Sequence, residues 1–206
     1  MYPYEQLIYD SLFGSSNLDT PFKAKHLFVV KATGLGITEM CLRLMIWLCL
    51  RDDSYRNSQM CIVTGPNQDI AIKLVKKMKA MFEKHNVLFD SEETVLELNG
   101  CRIEAYPLEN PKWILLDEAD FFRKNEQEDI RHVAERYIGK SNPFIVMIST
   151  PNRPEGLFQK LEKEPESTCI YKSLRLDWTY RIDTIYTTEE IEKAKRSPSW
   201  EREYNL

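Results

Sequence analysis

The stretch Lys31-Ala32-Thr33-Gly34-Leu35-Gly36-Ile37-Thr38 lies between an apolar tetrad, Leu27-Phe28-Val29-Val30, and a helical pattern running from about Ile37 to Leu50. A glycine-rich turn joining a buried strand to a helix is the local grammar of a phosphate-binding loop, whose standard form is GxxxxGK[ST]. Aligned on Gly36-x-Thr38, the stretch has Ile37 where the standard loop has its lysine, and Lys31 where it has its first glycine. The rest of the chemistry is present. Gly36 lets backbone amides approach phosphates, the following helix offers its positive end, and Thr38 carries a hydroxyl able to ligate magnesium. Thr33, Gly34, Leu35 and Ile37 complete the loop positions expected around a bound phosphate chain. Lys31 leaves the strand at the mouth of the loop, from where its amine could reach phosphates that need a cation. Lys23 and Lys25 stand further upstream. Read alone, the segment is equally compatible with a plain strand-to-helix turn that binds nothing.

Outward from the loop, short apolar runs alternate with helical patterns. Met60-Cys61-Ile62-Val63 reads as a strand ended by Thr64-Gly65-Pro66. Asn67 then caps a helix in which Ile70, Ala71, Leu74, Val75, Met78, Met81 and Phe82 recur at helical spacing. Thr94–Leu98 and Arg102–Ala105 flank Asn99-Gly100, a strong signal for a two-residue hairpin turn. Trp113-Ile114-Leu115-Leu116 and Phe144-Ile145-Val146-Met147-Ile148 read as buried strands, with a polar helix over about 126–137 between them. A short helix over 156–163, a strand at Cys169-Ile170-Tyr171, and a helix from a capping box at Thr187 and Glu190 to about Arg196 follow. Ser197-Pro198-Ser199 ends that helix and leaves a tail from Trp200. Strands separated by helical crossovers predict an α/β fold: a mainly parallel central sheet covered on both faces, with a β-hairpin addition.

The strand at 113–116 runs into Asp117-Glu118, about 80 residues beyond the loop. In a nucleoside triphosphatase, Asp117 would hold hydrated magnesium and Glu118 would polarise the attacking water. Parallel strands gather their carboxyl ends at one edge, so the loop, the acidic pair and Ser149-Thr150 are expected to converge there. Ser149 and Thr150 could touch the terminal phosphate and relay its loss to moving elements. The plainer alternative for both pairs is a polar, solvated strand end.

Composition narrows the class. The five cysteines are scattered without a CxxC pair and there are three histidines, which argues against a zinc site and for a reducing setting. The longest apolar run is seven residues, Leu44–Leu50, far short of the roughly 20 that span a bilayer. A net charge of −4 excludes a wholly basic nucleic-acid-binding surface but not a local patch. Lys73, Lys76, Lys77 and Lys79 form such a run, although a solvated helix face accounts for it equally well.

These residues resemble the ATPase domain of the large terminase subunit, the motor that packages DNA into viral capsids. Some members carry a deviant phosphate loop with its lysine at the first position, and Lys31 through Thr38 is similar to that version. The resemblance implies a three-layer P-loop NTPase fold of the ASCE, RecA-like type. It implies ATP and Mg2+ as cofactors, and catalytic roles for Lys31 and Glu118. Thr38 and Asp117 would sit at the metal, and Ser149-Thr150 would be the coupling motif. Pro3-Tyr4-x-Gln6 is similar to the adenine-recognising segment, with the Gln6 amide reading the base. Implied partners are double-stranded DNA, the portal, the small terminase subunit and further copies in a ring, all in the host cytoplasm and none in a membrane. The ATPase domain would cover residues 1–180. Residues 181–206 would be a helical extension leading toward a nuclease domain that the chain lacks. An arginine-bearing loop before the acidic strand is missing from the short segment between Arg102 and Trp113, which leaves Arg43, Arg123 and Arg153 as candidate activating arginines by position only.

Two other classes compete. A non-hydrolysing nucleotide-binding regulator would account for the displaced lysine, but has little need of Glu118 beside Asp117. A helicase-like fragment would share Asp-Glu-Ala-Asp at 117–120, but would need a second motor domain.

Overall fold

The computed structural model describes residues 2–14, 24–83, 89, 92–106, 109–152, 154–181 and 186–206. Six α-helices are described: α1 (Pro3–Phe13), α2 (Ile37–Arg51), α3 (Gln68–Glu83), α4 (Gln127–Glu135), α5 (Leu157–Lys163) and α6 (Thr188–Ala194). Seven strands form one sheet: β1 (His26–Lys31), β2 (Gln59–Thr64), β3 (Val95–Leu98), β4 (Cys101–Glu104), β5 (Trp113–Asp117), β6 (Phe144–Ser149) and β7 (Lys172–Leu176). Their order is β3-β4-β2-β5-β6-β1-β7, parallel throughout except for the β3–β4 hairpin. This is the expected α/β arrangement, a mainly parallel sheet with a β-hairpin addition. β6 stands between β1, which feeds the loop, and β5, which carries the acidic pair.

Side chains alternate across the sheet, and the two faces bury different layers. Leu27, Val29, Leu115, Val146 and Ile148 face α1, α2 and α3. Phe28, Val30, Ile114, Leu116, Ile145 and Met147 face α4 and α5. β5 and β6 are buried along their whole length, which is why they read as unbroken apolar runs rather than alternating ones. Each such buried Leu, Ile or Val contributes about 1.5–3 kcal/mol over its exposed state.

The hairpin turns on Asn99 and Gly100 with φ of 52° and 74°, the pair of positive angles that a two-residue turn of the favoured hand requires. Asn67 caps α3 by accepting from the Ile70 amide, and the Thr187–Glu190 box starts α6. One strand is displaced from its expected place. Cys169 and Tyr171 are turned inward toward α5, and the β7 ladder begins only at Lys172. β7 is an edge strand whose exposed positions are polar, so its pattern is diluted. Among the described residues no helix is long and apolar enough to cross a membrane, and all five cysteines are unbridged.

Candidate nucleotide site

The sheet register assembles the site. Asp117 is level with Ile148, and Ser149 with Val30, so Glu118 and Thr150 begin just past the paired strands, while Lys31 ends β1 level with Leu176 of β7. Lys31 and Asp117 fall on the same pleat as Val29 and Leu115, the face that carries α2. Gly36 supplies the entry to α2 at φ 75°, a left-handed conformation that a side chain would strain. The helix thereby starts at the sheet edge, with Thr38 in its first turn. Thr38 Oγ1 donates to Asp117 Oδ1 at 2.7 Å. Lys31 Nζ donates to Glu118 Oε1 at 3.1 Å, and Ser149 Oγ lies 3.4 Å from Glu118 Oε2 and 2.8 Å from the Thr150 carbonyl. Lys31, Asp117, Ser149 and Thr150 are all buried. Ile37, at the standard lysine position, is fully buried in the apolar core and can offer no cation.

Burial pushes the Asp117 carboxyl up to about 6, and the neighbouring Glu118 charge adds to it, against the Thr38 hydroxyl and the Lys31 amine. Two adjacent carboxylates facing one lysine leave a deficit of positive charge. With the hard oxygen donors of Thr38 and Asp117, that donor set fits magnesium, which typically takes one or two protein oxygens and completes its shell with water and phosphates. Among the described residues no cluster of three or more His, Cys, Asp or Glu forms a self-sufficient metal cage.

Glu118 itself has φ 49° and ψ 46°, an uncommon conformation for a residue with a side chain. Gly65 N–H donates to the Asp117 carbonyl, and a Cβ on Gly65 would lie 2.0 Å from the Glu118 carbonyl oxygen. The end of β2 is therefore pressed directly on the turn that carries Glu118.

Residues far away in sequence hold the loop from outside. The Tyr4 hydroxyl donates to the Leu35 carbonyl at 2.9 Å and accepts from Arg181 Nε at 2.6 Å. Arg181 Nη1 reaches the Gly34 carbonyl at 3.4 Å. The Tyr186 hydroxyl donates to the Thr33 carbonyl, and the Thr33 amide donates to the Glu203 carbonyl at 2.7 Å. The Thr33 hydroxyl also donates to the Glu203 carboxylate. The tail packs back through Trp200, which is buried and stacks on Tyr204 at 5.3 Å. A cavity of about 750 Å³, within the usual size of a small-molecule pocket, opens beside Gly36 between α1 and α2. Tyr2, Tyr9, Met40, Leu44, Trp47 and Arg181 are among its walls.

Several sequence candidates lie elsewhere. Gln6 is exposed and its amide binds the Asp10 carboxylate at 2.8 Å, away from the walls of the cavity. The reason is helical phase: Tyr4, Ile8 and Leu12 form the buried stripe of α1, and Gln6 lies off it. Arg43 is exposed and paired with Glu39, although it borders the cavity; Arg123 is exposed beside Glu126. Arg153 lies outside the described residues, as does Lys23. Lys76 and Lys77 pair with the carboxylates of Glu93 and Glu39, and Lys79 donates to the Glu92 carbonyl, so these lysines of the basic run are engaged within the chain. Phe122, just after the acidic pair, is buried in the core. Arg181, Tyr186 and Glu203 escaped sequence reasoning, because no local motif marks a residue that reaches the loop only after the chain returns to it.

The sequence matches no protein-family model and no curated protein. Solved structures do match. The HK97 bacteriophage large terminase superposes with a TM-score of 0.75 at 17% identity, over 100% of this chain and 50% of that one. The fold is that of a large-terminase ATPase domain. The Thermus phage P74-26 large terminase ATPase domain matches with a TM-score of 0.62 at 13% identity, covering 96% of each chain. A large terminase from a thermophilic bacteriophage, solved in complex with ATP-gamma-S, matches at 0.70 and 11% identity over 100% of this chain and 52% of that one. The chain thus spans about half the length of the HK97 terminase and of the ATP-gamma-S-bound terminase, and nearly all of the isolated P74-26 domain.

Proposed function

We infer that this chain hydrolyses ATP as the motor part of a large terminase, driving double-stranded DNA into a viral capsid. The observation that carries this reading is the meeting of Lys31, Thr38, Asp117 and Glu118 at one sheet edge, on a fold shared with terminase ATPase domains. The amides from Thr33 to Thr38 would cradle the phosphates at the start of α2. Lys31 would neutralise the charge that grows on them during phosphoryl transfer. Magnesium, held by Thr38 and through water by Asp117, would supply further charge neutralisation when bound. Glu118 would release Lys31, orient a water and take its proton. Ser149 and Thr150, beside Glu118, would register departure of the terminal phosphate. The base would enter the cavity between α1 and α2, against Tyr2 and Arg181 rather than Gln6. Residues 181–206 belong in this reading to the extension that bears on the loop, beyond an ATPase domain of residues 1–180.

Portal, small terminase subunit and DNA are the proposed partners, in a ring of copies in the host cytoplasm. A neighbouring copy would supply the activating arginine, since Arg43 and Arg123 are turned to solvent with their own carboxylate partners. A non-hydrolysing binding protein is the competing reading.

The deciding experiment compares the purified chain with Glu118→Gln, concentrated and with DNA and portal supplied. Both should bind Mg-ATP, and turnover in the variant should fall by roughly 10²–10⁴-fold, the usual worth of a general base. Equal turnover in the two proteins leaves the non-hydrolysing reading standing.

A further inference from the structure

We propose that Asp120 is a positioning residue which locks the turn bearing Glu118 to the segment that follows Ser149-Thr150, so that the water-polarising carboxylate and the coupling segment move as one unit. The inference rests on the hydrolytic reading above.

Asp120 follows the acidic pair by two residues and is only 2% exposed. A buried carboxylate is costly unless it is well bonded. Among the described residues no lysine or arginine pairs with it, and its partners are backbone amides of the coupling segment. Oδ2 accepts from Asn152 N at 2.7 Å and Oδ1 from Phe158 N at 3.2 Å. The second bond places Asp120 at the first turn of α5. Gly156, the residue that begins this helix, offers no side-chain cap of its own. A local serine or asparagine at that point would cap the helix just as well. The chain instead draws the acceptor from the catalytic turn, 38 residues earlier in sequence.

The clamp is closed from both sides. Asn152 Nδ2 returns a bond to the Asp120 carbonyl at 3.3 Å, and fully buried Gln127 donates to the Asp120 and Phe122 carbonyls at 3.2 Å each. Gly156 sits so close that a Cβ there would lie 2.4 Å from Asp120 Oδ1. The turn held in this way contains Glu118 in its left-handed conformation, which persists only where surrounding contacts over-determine it. Ser149, 3.4 Å from the Glu118 carboxylate, lies at the other end of the same segment. A shift of Ser149-Thr150 therefore reaches Glu118 directly through the serine and again through Asn152, Phe158 and Asp120.

Two variants perturb the link in different ways. Asp120→Asn keeps the shape and one acceptor oxygen; Gly156→Ala keeps the carboxylate and displaces it. Each is made in the 206-residue chain, alone and combined with Glu118→Gln, and is measured for kcat and KM with Mg-ATP and for thermal melting. In the otherwise unaltered chain, each should lower kcat at least tenfold with KM changed less than twofold. In the Glu118→Gln background, each should lower the residual turnover less than twofold, since its effect passes through Glu118. The proposal is overturned if melting falls while kcat holds, which marks Asp120 as a helix cap only. It is also overturned if the losses multiply fully in the double variants. Should Asp120→Asn fail to fold, Gly156→Ala decides by the same measures. Absence of turnover in the unaltered chain removes the hydrolytic reading itself, an outcome seen before any variant is compared.

Discussion

The Lys31 amine lies 3.1 Å from Glu118 Oε1, so the displaced cation and the candidate general base are each other's partner. Lys31 is nearly buried while Glu118 remains partly exposed, which makes the glutamate the freer of the two to swing away. Substituting Lys31 by Ala should weaken Mg-ATP binding roughly 10- to 100-fold, the worth of about 1.5–3 kcal/mol for a hydrogen bond to a charged group. Equilibrium binding of a fluorescent ATP analogue measures this, and an unchanged affinity would refute the role given to Lys31.

Asp117 predicts a pH dependence of definite sign. Its carboxyl is raised to about 6 in the folded chain by burial, above its unfolded value of about 3.9. A raised acid favours the fold while protonated, so this contribution is fully present below about pH 4 and is lost as pH rises through about 6. The loss is at most about 3 kcal/mol for a shift of roughly two units. Metal and nucleotide require the ionised form, so Mg-ATP affinity should rise over the same interval that lowers the stability of the ligand-free chain. Melting and binding series from about pH 4.5 to about 7.5, each repeated with Asp117→Asn, isolate the group from the titration of ATP itself.

Gly65 has no room for a side chain against the turn that carries Glu118. Gly65→Ala should cost about 1–3 kcal/mol of stability, the usual range for overpacking. Because the displaced atoms are the Glu118 carbonyl and the Phe122 amide, turnover should fall by more than tenfold while ATP affinity changes little. Urea unfolding and steady-state kinetics on the same preparation separate the two effects.

Glu203 places a negative charge on the Thr33 hydroxyl, in the loop proposed to cradle the phosphates. Glu203→Gln should tighten ATP binding about two- to fivefold, in keeping with the ~0.2–1 kcal/mol of a partly exposed charge interaction. The gain should shrink as salt is raised from about 50 to roughly 500 mM, where the Debye length is a few ångströms. A gain that persists at high salt would point to lost contacts rather than lost charge.

The sheet was legible because its central strands are continuous apolar runs and the hairpin carries Asn99-Gly100, signals that depend on near neighbours alone. The acidic pair and loop were legible for the same reason, each being a short motif at a strand end. β7 was misplaced by three residues, since the apolar trio Cys169-Ile170-Tyr171 mimics a strand whereas the true edge strand alternates Lys172, Ser173 and Arg175 with leucines. Gln6 resembled a base reader by local pattern, but the phase of α1 turns it outward. What grips the loop from outside was not legible. Tyr186 and Glu203 lie 153 and 170 residues from Thr33, and such contacts follow from the path of the folded chain rather than from any repeating signal.

Placing the lysine on β1 has a mechanical consequence. In the standard loop the cation and the amide cradle ride on the same helix, so they shift together. Here the amine is anchored to the sheet through the β1–β6 and β1–β7 ladders, while Thr38 belongs to α2 and Gly36 caps it. A nucleotide gripped by both would act as a staple between two layers of the molecule. Cleaving off its last phosphate would unfasten the sheet from the helix, without either layer having to deform.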